Sequence, residues 1–255
     1  LASAQEVGIS LAALGNSELT YEKKYEFNGG VSMGWLKNRI NLDIDAFYRD
    51  NFDLIGPTYT TGLGGESLKY ANCANMTSHG VELTLSTVNI KPEEAGGFSW
   101  STDFTFSYIN EKITNLDSRS NVYALVSGLD GAYGRKVGYP VHSLFSIPFM
   151  GLNDEGLPTF LNENGEVTVG DINFQEIENT DFLKYEGTMD APFTGGFGNI
   201  FKWNGITLNI FMTYNFGNVV RLDPVFSSSY DDMTALPRDF RNRWMIAGDE
   251  QRTTI

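Results

Sequence analysis

YEKKYEFNGGVSMGWLKNRINLDIDAFYR, residues 21–49, switches between apolar and polar side chains with a period of two. Tyr21, Tyr25, Phe27, Val31, Met33 and Trp35 hold odd positions, and Glu22, Lys24, Glu26, Asn28 and Ser32 hold even ones. Neighbouring side chains of a β-strand point to opposite faces, so the stretch predicts a strand with one greasy and one wet side. After the short turn Leu36-Lys37-Asn38 the phase restarts, with Ile40, Leu42, Ile44, Ala46 and Tyr48 on one face and Arg39, Asn41, Asp43, Asp45 and Arg49 on the other. Together the two segments predict a hairpin.

The same alternation returns twice. Val81, Leu83 and Leu85 oppose Glu82, Thr84 and Ser86; a turn through Pro92 and Gly96-Gly97 then leads to Phe98, Trp100, Phe104, Phe106 and Tyr108 against Ser99, Ser101, Asp103, Thr105 and Ser107. In the last pair, Phe193, Phe197, Phe201 and Trp203 pass through Asn204-Gly205 into Ile206, Leu208, Ile210, Met212, Tyr214 and Phe216. Asn-Gly suits a type I′ turn, in which both central residues need positive φ. Asn199 in the apolar phase and Lys23 at its outer end are the exceptions, and a lysine there can snorkel to water.

Connections within pairs are short, whereas those between pairs are long: 50–78, 109–191 and everything after 217. Structureless loops of that length are uncommon in compact soluble domains. Outer-membrane barrels, by contrast, combine short periplasmic turns with long extracellular loops. The sequence therefore predicts an all-β, antiparallel transmembrane barrel portion of about six strands, with 109–191 as a long extracellular loop region. Tryptophan gathers where hydrocarbon meets water; Trp35, Trp100 and Trp203 near the short turns are expected in a periplasmic girdle, with Tyr21, Tyr48 and Tyr108 toward the opposite rim. A soluble β-sandwich also alternates its faces, but these strands exceed the usual five or six residues and carry their aromatics at strand ends.

Composition narrows the function. No window approaches the roughly 18 apolar residues of a spanning helix, and a mean hydropathy of -0.23 is compatible with a barrel whose residues alternate. A net charge of -14 argues against nucleic-acid partners, which need clustered Lys and Arg. The single Cys73 excludes an intramolecular disulfide. The chain opens Leu1-Ala2-Ser3 and is expected to be an excerpt of a longer precursor that carries the targeting signal.

No catalytic constellation emerges. His79 and His142 are far apart and lack metal-ligand spacing. Gly196-Phe197-Gly198 lies inside a strand, and Asp171-Ile172-Asn173-Phe174-Gln175 begins like a calcium loop but has Glu176 at position six and Phe182 at position twelve. No metal, cofactor or enzymatic activity is expected. Candidate solute-binding residues are the wet-face Arg39, Asp43, Asp45, Glu82 and Asp103; the loop aromatics Tyr123, Tyr133, Tyr230 and Trp244 could stack on a ligand or simply anchor loops.

GNSELTYEKKYEFNGGVSMGWLKNRINLDIDAFYRD, residues 15–50, resembles the recurring strand pair of the SusC/RagA-like TonB-dependent outer-membrane transporters of Bacteroidetes. Further pieces agree in order: TSHGVELTL, KVGYPVHSLFSIPFMGL, GDINF, DAPFTGGFGNIFKWNGITLNIFMTYNFGNVV and ALPRDFRNRWMIAGDEQRTTI. The chain departs from the pattern at Ser17, where proline is common, at Tyr21, where tryptophan is, and at Glu176 to Asp181 after GDINF. The resemblance implies a 22-stranded barrel with an N-terminal plug, a SusD-like surface lipoprotein as partner, and import of oligosaccharides or peptides powered through the TonB complex. Plug, TonB box and final strands are expected outside this sequence. The competing readings are a soluble or surface-attached β-rich glycan-binding module and a passive porin or adhesin barrel.

Overall fold

The computed structural model describes residues 15–59, 68–94, 96–117, 119–127, 134–227, 229–230, 233 and 235–255; Tyr133 lies outside them. In chain order the strands are β1 (Lys23–Trp35), β2 (Ile40–Tyr59), β3 (Leu68–Ile90), β4 (Ser99–Leu116), β5 (Ser143–Ser146), β6 (Phe149–Leu152), β7 (Pro158–Leu161), β8 (Val167–Thr168), β9 (Lys184–Thr188), β10 (Phe193–Trp203) and β11 (Ile206–Phe216). One helix, α1 (Val122–Ser127), follows β4. The main sheet has the order β1-β2-β3-β4-β10-β11, an open arrangement and not a closed barrel. Two compact units divide the chain: Leu1–Ser118 with Phe197–Phe211, and Arg119–Gly196 with Met212–Ile255.

In the first unit, antiparallel pairing aligns the expected faces across strands. Met33, Leu42, Leu85 and Phe104 make one row, Val31, Ile44, Leu83 and Phe106 the next, and Gly29, Ala46, Val81 and Tyr108 a third. A one-residue slip would send every one of these side chains to the wet face, so the pattern itself fixes the register. Val31 is 59% exposed and Ile210 46%, and Phe104 is half-buried. Such exposure is not that of a sandwich core.

The turns predicted at Leu36-Lys37-Asn38 and at Asn204-Gly205 form. Asn204 and Gly205 have φ of 46° and 83°, the type I′ signs. Leu36, Lys37 and Asn38 take φ of 52°, 58° and 61°, a left-handed run closed by a hydrogen bond from Arg39 N to Trp35 O of 3.0 Å. Each such residue costs about 1–2 kcal/mol, offset by side chains: Arg39 donates through Nη2 to Val88 O at 3.0 Å and Asn89 O at 2.7 Å, and Asn41 Nδ2 donates to Asn38 O at 3.0 Å.

The strands outrun the sequence reading. The segment 50–78 contains the end of β2 and the start of β3, and the loop expected from 109 begins only after Leu116. Bulges hide the extension: pairing shifts between Asn51 and Leu54 on β2 and between Asn75 and Met76 on β3, and Asp53 has φ of 56°. An extra residue reverses the phase and erases the alternation. Side chains satisfy the backbone that the bulges free. Asn72 Nδ2 donates to Asp53 O at 2.6 Å and Thr20 O at 2.9 Å, Asp53 N donates to Asn75 Oδ1 at 3.2 Å, and Lys23 pairs with Asp53 at 2.6 Å. Pro57 is tolerated because β1 stops pairing at Phe52, leaving that stretch of β2 without a β1 neighbour.

The second unit has its own small core of Val122, Leu125, Phe145 and Leu183. β5 pairs with β9, and β6, β7 and β8 form a meander. The meander repeats one turn: Leu152-Asn153-Asp154-Glu155-Gly156 and Leu161-Asn162-Glu163-Asn164-Gly165. In each, the Asn Oδ1 accepts backbone N–H groups two and four residues on, at 3.1 and 2.8 Å in the first turn and 3.0 and 2.8 Å in the second. The glycines close them with φ of 77° and 79°, which a side chain would resist.

Candidate functional site

The wet face of the first unit brings together some sequence candidates and separates others. Asp45 and Glu82 are direct cross-strand partners, both exposed, with Gly30 opposite on β1 giving the Asp45 carboxylate its room. Like charges placed so cost a few tenths of a kcal/mol, up to about 1, tolerable where water screens them. Asp43 faces Ser32 and Thr84; Asp103, opposite Ser86, accepts that serine's hydroxyl hydrogen bond at 2.7 Å. Arg39 belongs elsewhere, because its guanidinium is spent on the Val88 and Asn89 carbonyls at the turn end.

Two aromatic residues break the polar phase of this face. Phe47, 6% exposed, lies across Gly80, whose missing Cβ leaves 2.6 Å to the ring's Cζ. Phe211 covers Gly198 in the same manner, its Cδ2 3.0 Å from where a Cβ would stand. Arg49 stacks on Phe47, its guanidinium carbon 4.0 Å from the ring centroid. The alternation rule assigns Arg49 a face but not this neighbourhood.

On the apolar face, Trp35 and Trp203 end β1 and β10 and are 44% and 62% exposed. Trp100 is more buried, because its Nε1 donates to Asn199 Oδ1 at 2.8 Å and its ring stacks on Phe201 at 5.8 Å. Asn199 thus has partners in the apolar phase; it also accepts from Thr102 Oγ1 at 2.8 Å, and Thr102 Oγ1 accepts from Asn89 Nδ2 at 2.7 Å. Tyr48 (50% exposed) and Tyr108 (half-buried) sit well inside strands that run on to Tyr59 and Leu116, and Tyr21 precedes β1 with 90% exposure.

Of the loop candidates, Tyr230 and Trp244 are engaged in local packing, whereas Tyr123, on α1, is 52% exposed. Tyr230 packs edge-on against Phe240 at 5.9 Å and accepts from Ser227 N at 2.9 Å. Trp244 donates to Glu250 at 3.1 Å and rests on Gly156. Glu250 is held below the usual glutamate range, by its own backbone N–H first, then by Trp244 and Gly248. The second unit also holds an apolar cavity of about 390 Å³ lined by Val126, Leu144, Phe145, Phe160, Val219 and Arg221. Arg221 donates to the carbonyls of Val126 and Phe145, tying the segment after β11 to α1 and β5. Among the described residues there is no cluster of three or more metal-ligating side chains.

No family model matches the chain. It is 27% identical over 252 residues to the TonB-dependent receptor P39 of Formosa agariphila, covering 85% of this chain and 24% of that protein. It is 25% identical over 166 residues to the TonB-dependent receptor SusC of Bacteroides thetaiotaomicron, covering 60% and 16%. The RagAB peptide transporter superposes with a TM-score of 0.67 at 23% identity, over 85% of this chain and 23% of that one. The chain is thus similar in sequence to SusC-like TonB-dependent receptors. The RagAB likeness establishes the fold, so the six-stranded sheet matches part of a β-barrel. The chain spans about a quarter or less of the length of the receptors it matches.

Proposed function

We propose that these 255 residues form part of one barrel domain in an outer-membrane, TonB-dependent importer of oligosaccharides or peptides, working with a SusD-like lipoprotein. The observation that carries this is the set of apolar rows across β1 to β4, exposed or half-exposed on one face, with Asp43, Asp45, Glu82 and Asp103 on the reverse. Lipid wets the first face and an aqueous lumen the second.

The girdle positions are consistent with that placement. From Ile40, paired with Trp35, to Tyr48 is eight residues. At ~3.4 Å each and a tilt near 40° they span roughly 20 Å of membrane, comparable to the apolar band of about 25 Å. Beyond it the row Asp50, Thr77 and Lys112 turns polar, and the bulges and Asn locks follow where water can reach them. Residues 117–191 then belong to a long extracellular loop. That SusC-like relatives are receptors, and that RagAB is a peptide transporter, supports import but leaves two solute classes.

The test uses the full-length receptor in its own host. Deleting its gene, or removing TonB, should abolish growth on one oligosaccharide or peptide source, and the receptor should co-purify with a surface lipoprotein. Uptake that persists without TonB would favour a passive porin and overturn the reading.

A further inference from the structure

Glu26, Arg49, Ser78 and Glu111 form one row across β1 to β4 on the polar face. The Arg49 guanidinium is gripped on two sides. Its plane lies on the Phe47 ring, and its buried Nε sits 3.3 Å from Glu26 Oε2. Glu26 is shared with Lys24 Nζ at 2.7 Å, so two cations meet one carboxylate and one positive charge is left over.

The two terminal nitrogens of Arg49 have no hydrogen-bond partner among the described residues, and the side chain is 34% exposed. A guanidinium already fixed by a ring and a carboxylate loses little further freedom on binding, and its open fork matches a carboxylate with two parallel hydrogen bonds. Two other cations of this face are committed, Lys24 to Glu26 and Arg39 to backbone carbonyls, while Lys202 on β10 is exposed to solvent. Asp43, Asp45, Glu82 and Asp103 repel anions, and Arg49 is the cation of this face that a ring and a carboxylate hold in place with its fork open. Glu111, two strands away in the same row, forms no ion pair with Arg49; the salt bridge that Arg49 makes is to Glu26.

We propose that Arg49 is a specificity-determining residue that receives a carboxylate of the transported solute. This rests on the lumen reading of the polar face. The carboxylate could come from a peptide terminus or from a uronic acid, and the probes separate these sources.

The full-length receptor, purified from outer membranes in detergent, would be titrated with penta-alanine and its C-terminal amide, and with trigalacturonate and maltotriose. In one pair the carboxylate form should bind about tenfold to a hundredfold tighter. Arg49→Gln should remove the difference, and Arg49→Lys, which keeps charge but not the fork, should leave a few-fold preference. A heat-sensitive gel shift of each variant checks that the barrel is intact. Equal binding within both pairs, no binding by any probe, or a preference that survives Arg49→Gln would overturn the proposal. TonB-dependent uptake could persist through each of those outcomes, so this failure is separable from failure of the importer reading.

Discussion

Replacing Asn199 by alanine puts the apolar face to a test of sign. If Asn199 were a stray polar group on a lipid-facing surface, its removal would be neutral or stabilising. Instead its Oδ1 receives two hydrogen bonds of 2.8 Å, from Trp100 Nε1 and Thr102 Oγ1. Losing the Thr102 bond costs about 1 kcal/mol net, and stranding the indole N–H costs about 1–3 kcal/mol where water is scarce, so we predict a loss of about 2–4 kcal/mol. At fixed urea that lowers the folded-to-unfolded ratio by about thirtyfold or more. The assay is urea titration of the full-length receptor in micelles, following the gel shift of the folded barrel. A second arm adds Trp100→Phe, which deletes the orphaned donor and should recover about 1 kcal/mol in a double-mutant cycle. Unchanged or increased stability in Asn199→Ala, or strict additivity in the cycle, would refute the reasoning.

Three other outcomes are expected. Gly80→Ala would drive a Cβ into the Tyr108 carbonyl and Phe47, so the amount of assembled receptor in the outer membrane should fall several-fold, and normal assembly would count against the Phe47–Gly80 packing. Asp43→Asn with Asp45→Asn should change solute uptake while leaving assembly intact, since both carboxylates face water; loss of assembly would sink the lumen assignment. Glu176 is held below the ordinary glutamate value of 4.5 by the backbone N–H of Asn179, then of Glu178. A depressed folded-state value means the contribution is fully present above 4.5 and is lost below it, as pH falls through the lower folded-state value. Amide exchange at 176–179, corrected for intrinsic rate, should therefore be protected at neutral pH and accelerate in acid, and pH-independent protection would argue otherwise.

Residue type and period were enough to predict the six main strands and their faces, because one face meets an apolar medium and the other does not. They also gave the Asn204-Gly205 turn, where backbone φ demands particular residues. They failed where geometry departs from the period. Bulges near Asp53 and Asn75 conceal the upper strands, and Leu36 and Lys37 adopt positive φ with nothing in their identity to announce it. The site was half legible. Asp45 and Glu82 share the polar face that the alternation predicts, but their direct pairing depends on register, and Arg39 is diverted to backbone carbonyls by a turn whose shape the sequence does not reveal. Arg49 carried no motif; its interest comes from a phenylalanine two residues away and a glutamate on another strand.

The paired turns at Asn153 and Asn162 lie nine residues apart, and each is closed by its own asparagine and glycine without help from the other. A reach built from such self-contained modules can gain or lose one without disturbing its neighbour's internal bonds. We therefore predict that excising 153–161 would leave the amides of the remaining turn as slow to exchange as before. This segment would then be adjustable in length by copying, a freedom that the strand rows, each locked to the next, do not have.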